Sequence, residues 1–184
     1  MDKSKFRFDL VDKYAPDIVV RKSLEQIGEA TNNYVVGRIE EYSGYIKSHT
    51  EKTGLAVLSD ITVARNIEVD IQDSLGEQSE IDHRFEVYLS AKKLDKYKYR
   101  LMFIDYGATS YPVTVVLNER LARVYSDKYG DTFIIKNMKQ LEDLLEKVIN
   151  SEVLIQIIQN LINEAIRREN AEQEEDSQRV SAIR

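Results

Sequence analysis

A chain of 184 residues with net charge −6 and no cysteine is long enough to bury a core without disulfides or metal staples. The missing thiols exclude a disulfide framework, thiolate zinc sites and cysteine nucleophiles. No run approaches the ~20 apolar residues of a membrane helix, and Met1-Asp2-Lys3-Ser4-Lys5 leads into no apolar signal core, so the composition reads as soluble and, by default, cytoplasmic.

Asp17 to about His49 reads as one long helix, with Val20, Leu24, Ile27, Thr31, Tyr34, Tyr42 and Tyr45 recurring at three- and four-residue spacing. Asp17, or Ser23 with Gln26, supplies its N-cap. Gly28, Gly37 and Gly44 weaken such a helix and predict a bend or a close neighbour. The period then changes to two: Ile61, Val63, Ile67, Val69 and Ile71 predict a half-buried strand. The polar run Asp73 to Glu80 is a loop, and Phe85, Val87, Leu89 and Ala91 form the inward side of a second strand.

Lys92 to Lys96 forms a polar hairpin connection into a strand from Tyr97 to Tyr106. Its four consecutive apolar residues, Leu101 to Ile104, predict a strand apolar on both faces in the middle of a sheet. Gly107 to Pro112 turns the chain into the strand Val113 to Leu117. Leu121 to Tyr125, a strand or a short helix, and Thr132 to Ile135 complete the meander. Helical spacing returns at Met138, and Asn150-Ser151 divides two helices through a left-handed Asn C-cap and a Ser N-cap.

The second of these helices is apolar over a wide arc. At about 100° per residue, Val153, Leu154, Ile155, Ile157, Ile158, Leu161, Ile162, Ala165 and Ile166 span roughly 220°. Its neighbours cover much of that arc, leaving the Ile155, Ile162 and Ile166 edge for a second subunit. The fold class is α+β: an N-terminal helix, an antiparallel meander of about four to six strands, and a C-terminal helix pair on the sheet. Residues 1–166 make one domain, and residues 167–184 form a charged extension, helical or flexible, with four basic and five acidic residues.

Chemistry-bearing residues are few. Lys96, Lys98 and Arg100 on one sheet face, joined by Tyr88 and Lys92 of the partner strand, would make a cationic platform suited to phosphates or an acidic protein surface. Its alternative is a solvated hairpin whose lysines discourage edge pairing. Asp60, Asp70, Asp73, Glu77, Glu80, Asp82 and His83 lack the spacing of a metal-dependent nuclease, so no metal or cofactor is expected. His49 and His83 assemble no triad. Tyr106-Gly107-Ala108-Thr109-Ser110 lacks the glycines and lysine of a phosphate loop. Asp105, on the Tyr99, Leu101 and Phe103 side, is either a turn cap or an acid.

These features point to a non-catalytic interaction or regulatory protein that self-associates and binds another macromolecule, a protein partner before nucleic acid. A binder or enzyme acting on a phosphorylated small molecule is the alternative. An acidic inhibitor of a nucleic-acid-binding protein is the third reading, opposed by the basic platform.

Overall fold

The computed structural model describes residues 12–44, 46, 83–126 and 130–182. Helix α1, Pro16–Ala30, opens with proline in its first turn, where the missing N–H costs nothing. Asp17 stands inside that turn rather than at the cap, which is Ala15, and accepts a 2.6 Å hydrogen bond from the Tyr106 hydroxyl.

The helix is about half the length that its spacing suggests, and the reason lies in Thr31-Asn32-Asn33. Asn32 and Asn33 take φ of 48° and 60°, the left-handed region that asparagine tolerates best after glycine. The Asn33 N–H returns to Gly28 O at 2.8 Å, and Thr31 Oγ1 accepts from the Val35 N–H at 3.2 Å. The chain leaves as strand β1, Val35–Glu41, so Tyr34 is the residue leading into a strand and not part of a helical stripe. Tyr45, His49 and the expected strand from Ile61 to Ile71 lie outside the described residues.

Four further strands follow: β2, His83–Ala91; β3, Tyr99–Tyr106; β4, Val113–Leu117; and β5, Thr132–Ile135. Every neighbour in the sheet is the neighbour in sequence, in the order β1-β2-β3-β4-β5, and every pair is antiparallel. Between β4 and β5 the stretch open to two readings is a helix, α2, Glu119–Tyr125, whose N-cap Asn118 accepts from the Arg120 N–H. Asn118 also donates its own N–H to Leu101 O at 2.7 Å, seating α2 over the start of β3.

The four apolar residues of β3 are all buried, Phe103 on the face opposite Met102 and Ile104, and β3 is the middle strand of the five; the run also holds an irregularity. Val87 pairs with Met102 but Tyr88 pairs with Arg100, so Leu101 is an extra residue opposite none, a β-bulge. Tyr99, Met102, Ile104 and Tyr106 consequently share the side facing the helices. Arg100, Phe103 and Asp105 share the other, which separates Asp105 from Tyr99.

The core lies between the helices and one sheet face. Val35, Ile39, Val87, Leu89, Ile104, Val113 and Val115 meet Val20 and Leu24 of α1 and Leu144, Leu145 and Val148 of α3, Met138–Ile149. Each fully buried leucine contributes about 1.5–3 kcal/mol. Gly37 is required by the α1–β1 approach: a Cβ there would lie 2.7 Å from both Cβ and Cδ2 of Leu24.

Helix α4, Glu152–Ala182, runs 31 residues without interruption. Asn150 ends α3 at φ −87°, not left-handed, while Ser151 Oγ accepts from the Leu154 N–H at 3.2 Å as expected of an N-cap. Leu154, Leu161 and Ala165 form the buried centre of the apolar arc, and Ile162 is half-buried. Ile155 and Ile166 remain 55% and 39% exposed. Among the described residues no helix is long and apolar enough to cross a membrane.

Candidate functional site

The sheet face turned away from the helices is polar, and strand alternation explains why. β1 sends Arg38 and Glu40 to it, β2 sends Arg84, Glu86, Tyr88 and Ser90, and the bulge brings Arg100, Phe103 and Asp105 into line with them. Arg38, Tyr88 and Arg100 stand side by side in register, as do Glu40, Glu86 and Phe103.

The expected cations are present here, but they are paired. Lys98 Nζ donates to Glu40 Oε2 at 2.9 Å and lies 4.1 Å above the Tyr88 ring. The Tyr88 hydroxyl donates to the other Glu40 oxygen at 2.6 Å. Arg100 Nε donates to Glu86 Oε1 at 2.7 Å and its guanidinium covers Phe103 at 4.7 Å. Phe103 in turn meets the Tyr42 ring, with centroids 4.7 Å apart. The hydrogen bonds from Tyr88 and then Lys98 hold the Glu40 carboxyl below its ordinary value, and Glu40 raises Lys98. Burial, then the Glu40 bond, pushes the Tyr88 hydroxyl up.

Lys96 does not join them. β3 starts only at Tyr99, so Lys96 is an exposed residue of the connecting turn. Lys92 lines the hairpin-end cleft with Tyr88 and Lys98, while its Nζ pairs with Glu169 of α4 at 2.6 Å and lies 5.1 Å from the Tyr34 ring centroid. Among the described residues Asp105 caps no turn. Both Arg84 Nε, at 3.0 Å, and Arg84 Nη2, at 2.7 Å, donate to its Oδ2. The charges of the face therefore alternate in sign and largely cancel, unlike the single-sign array of a nucleic-acid mimic.

Sequence reading found Tyr88, Lys98 and Arg100 but missed Arg38, Glu40 and Glu86. Strand register is what joins them, and β1 was hidden inside the expected helix. Arg38 is the guanidinium of this face with no carboxylate at ion-pair distance among the described residues; it donates to Ser90 Oγ at 3.1 Å. Arg38, Tyr88, Ser90, Tyr97 and Lys98 line a cleft of 360 Å³ at the hairpin end. A second groove, 530 Å³, runs between α1 and α3 past Ile18, Lys22, Glu142 and Ile149. Asp105 lines neither. Among the described residues no group of three metal-ligating side chains converges; the acidic residues from Asp60 to Asp82 lie outside them.

The acidic extension is tied to the hairpin. Glu169 accepts from Lys92 and from the Tyr34 hydroxyl, the latter at 3.1 Å, and Glu172 pairs with Lys93. The Lys92 bond first, and the Tyr34 bond with it, hold the Glu169 carboxyl below its ordinary 4.5. A carboxyl lowered on folding stabilises fully above its unfolded value and loses that contribution as pH falls through the lowered one. After correction for intrinsic rates, amides of residues 167–178 are expected to exchange faster at about pH 3 than at about pH 6. Glu169→Gln should remove most of that difference; equal protection at both pH values would refute the tether.

No known family, characterised protein or solved structure matches this chain.

Proposed function

We propose that this chain is a non-catalytic interaction protein that associates with itself through one edge of α4 and engages a protein partner with its polar sheet face. The observation that supports self-association is the pair Ile155 and Ile166, 55% and 39% exposed. With half-buried Ile162 they fall within about 40° of one another around the helix, and they lie roughly 16 Å apart along it at 1.5 Å per residue. An aligned stripe of branched aliphatics on a rigid helix is the surface that a facing helix covers.

The sheet face supports the second half of the reading through its composition. Tyr88, Arg100, Phe103 and Tyr42 place aromatic rings beneath charged groups, the residue types that anchor protein interfaces. Ion pairs half-open to water, such as Lys98 with Glu40 at 48% and 52% exposure, contribute little to stability and exchange readily for a partner's charges. The alternative, a phosphorylated compound held by Lys96, Lys98 and Arg100 with Asp105 as acid, has less support. Lys96 stands apart, and the other three already carry ionic partners.

Light scattering on the full chain at ~50 μM, above the dissociation constant of a stable dimer, is expected to give at least a dimer. Ile155→Glu with Ile166→Glu should give a monomer of unchanged circular dichroism, since both side chains are outside the core. A wild-type monomer at that concentration overturns self-association.

A further inference from the structure

We propose that the groove between α2 and the first half of α4 binds a small amphiphilic anion, a carboxylate or phosphate carried on an aliphatic body. The groove encloses 550 Å³, within the range of about 300–1,000 Å³ usual for small-molecule sites. Arg120 and Arg123 of α2 form one wall, Val153 and Ile157 of α4 the less exposed part, and Gln156 and Asn160 the outer rim.

Its charge sets it apart from the rest of the surface. Among the described residues no carboxylate lines it, on a chain of net charge −6. Arg120 and Arg123 are three residues apart, so both guanidiniums leave α2 on the same side. Among the described residues Arg123 is paired only with Glu119 of its own helix, at 74% and 63% exposure, an ion pair cheap to open. Arg120 has no carboxylate partner among the described residues. Beside it lies the buried Tyr99 hydroxyl, whose polar neighbour is Arg120 itself: burial pushes that hydroxyl up, and the Arg120 charge and hydrogen bond pull it back.

Two adjacent guanidiniums offer the paired N–H donors that carboxylate and phosphate oxygens accept. The carboxamides of Gln156 and Asn160 add neutral donors at the rim. Among the described residues no aromatic side chain lines the groove to stack on a base. Val124, Val153 and Ile157 suit an alkyl body instead. Val153 and Ile157 stand two residues on either side of Ile155, about 160° around the helix. The site therefore lies on the flank of α4 opposite the proposed subunit contact, and its occupation does not depend on that contact.

The test is a titration of the isotope-labelled full chain with octanoate, octyl phosphate and inorganic phosphate, followed by amide chemical shifts. At least one amphiphile should bind saturably and move amides of residues 119–125 and 153–160. Inorganic phosphate should bind at least tenfold more weakly, and the stronger of the two amphiphiles identifies the head group. Arg120→Ser with Arg123→Ser should weaken the amphiphile at least tenfold without changing the melting temperature. Asn160→Asp, which places a carboxylate on the rim of an otherwise intact groove, should weaken it likewise. Absence of saturable binding at millimolar concentration, equal affinity for inorganic phosphate, or undiminished binding by these variants overturns the proposal.

Discussion

Leu154→Ala is expected to destabilise the protein by about 2–5 kcal/mol, the loss usual for a buried leucine whose cavity stays open. Leu154 is fully buried and packs in the first turn of α4, where Ser151 fixes the helix start and leaves little freedom to collapse. For a chain of this size a 3 kcal/mol loss lowers the melting temperature by roughly 6–12 °C. The neighbouring Ile155→Ala is expected to cost less than about 0.5 kcal/mol in the dissociated protomer, because Ile155 is 55% exposed there. Thermal melts of the two variants check the inward and outward sides of α4 directly. Equal losses would mean that Ile155 is buried in solution, by a second subunit if the loss grows with protein concentration.

The wide arc of α4 was legible in the sequence because helical periodicity depends only on spacing. Which edge of the arc stays open follows from the same spacing once α3 and the sheet are placed against it. The end of α1 was misread for an equally physical reason. Tyr34, Tyr42 and Tyr45 continue a three- and four-residue rhythm by coincidence, whereas the backbone obeys Asn32 and Asn33. Two adjacent asparagines after a threonine were the available signal, since few other residues accept successive positive φ angles. The partners Glu40, Glu86 and Glu169 were out of reach for a different reason: Glu169 lies 135 residues from Tyr34, and nothing local brings them together. A basic run read along the chain thus looks like a free platform until the carboxylates opposite it are known.

Gly37→Ala carries the second large effect, a destabilisation of about 1–3 kcal/mol from overpacking. The new Cβ would stand 2.7 Å from Leu24 Cβ and Cδ2 and 3.0 Å from Cγ. A rotamer change of Leu24 relieves the outer two contacts only. Its Cβ moves solely with the helix backbone, so α1 must shift away from β1. In a double-mutant cycle with Leu24→Ala, denaturant melts should therefore recover part of the loss and not all of it. Complete recovery would show that the conflict is confined to the leucine side chain.

The bulge at Leu101 has a consequence for how β3 tolerates a change in length. Seven residues of β2, His83 to Leu89, face seven of the eight in β3. Removing Leu101 would leave Tyr99, Met102, Ile104 and Tyr106 still on one side and Arg100, Phe103 and Asp105 on the other, an unbroken alternation. Deleting Met102 would let Leu101 fill its place in the same alternation, whereas deleting Phe103 or Ile104 would move Met102 to the polar face. The strand's alternation thus survives the loss of either Leu101 or Met102, and loss of Leu101 also costs the carbonyl on which Asn118 seats α2.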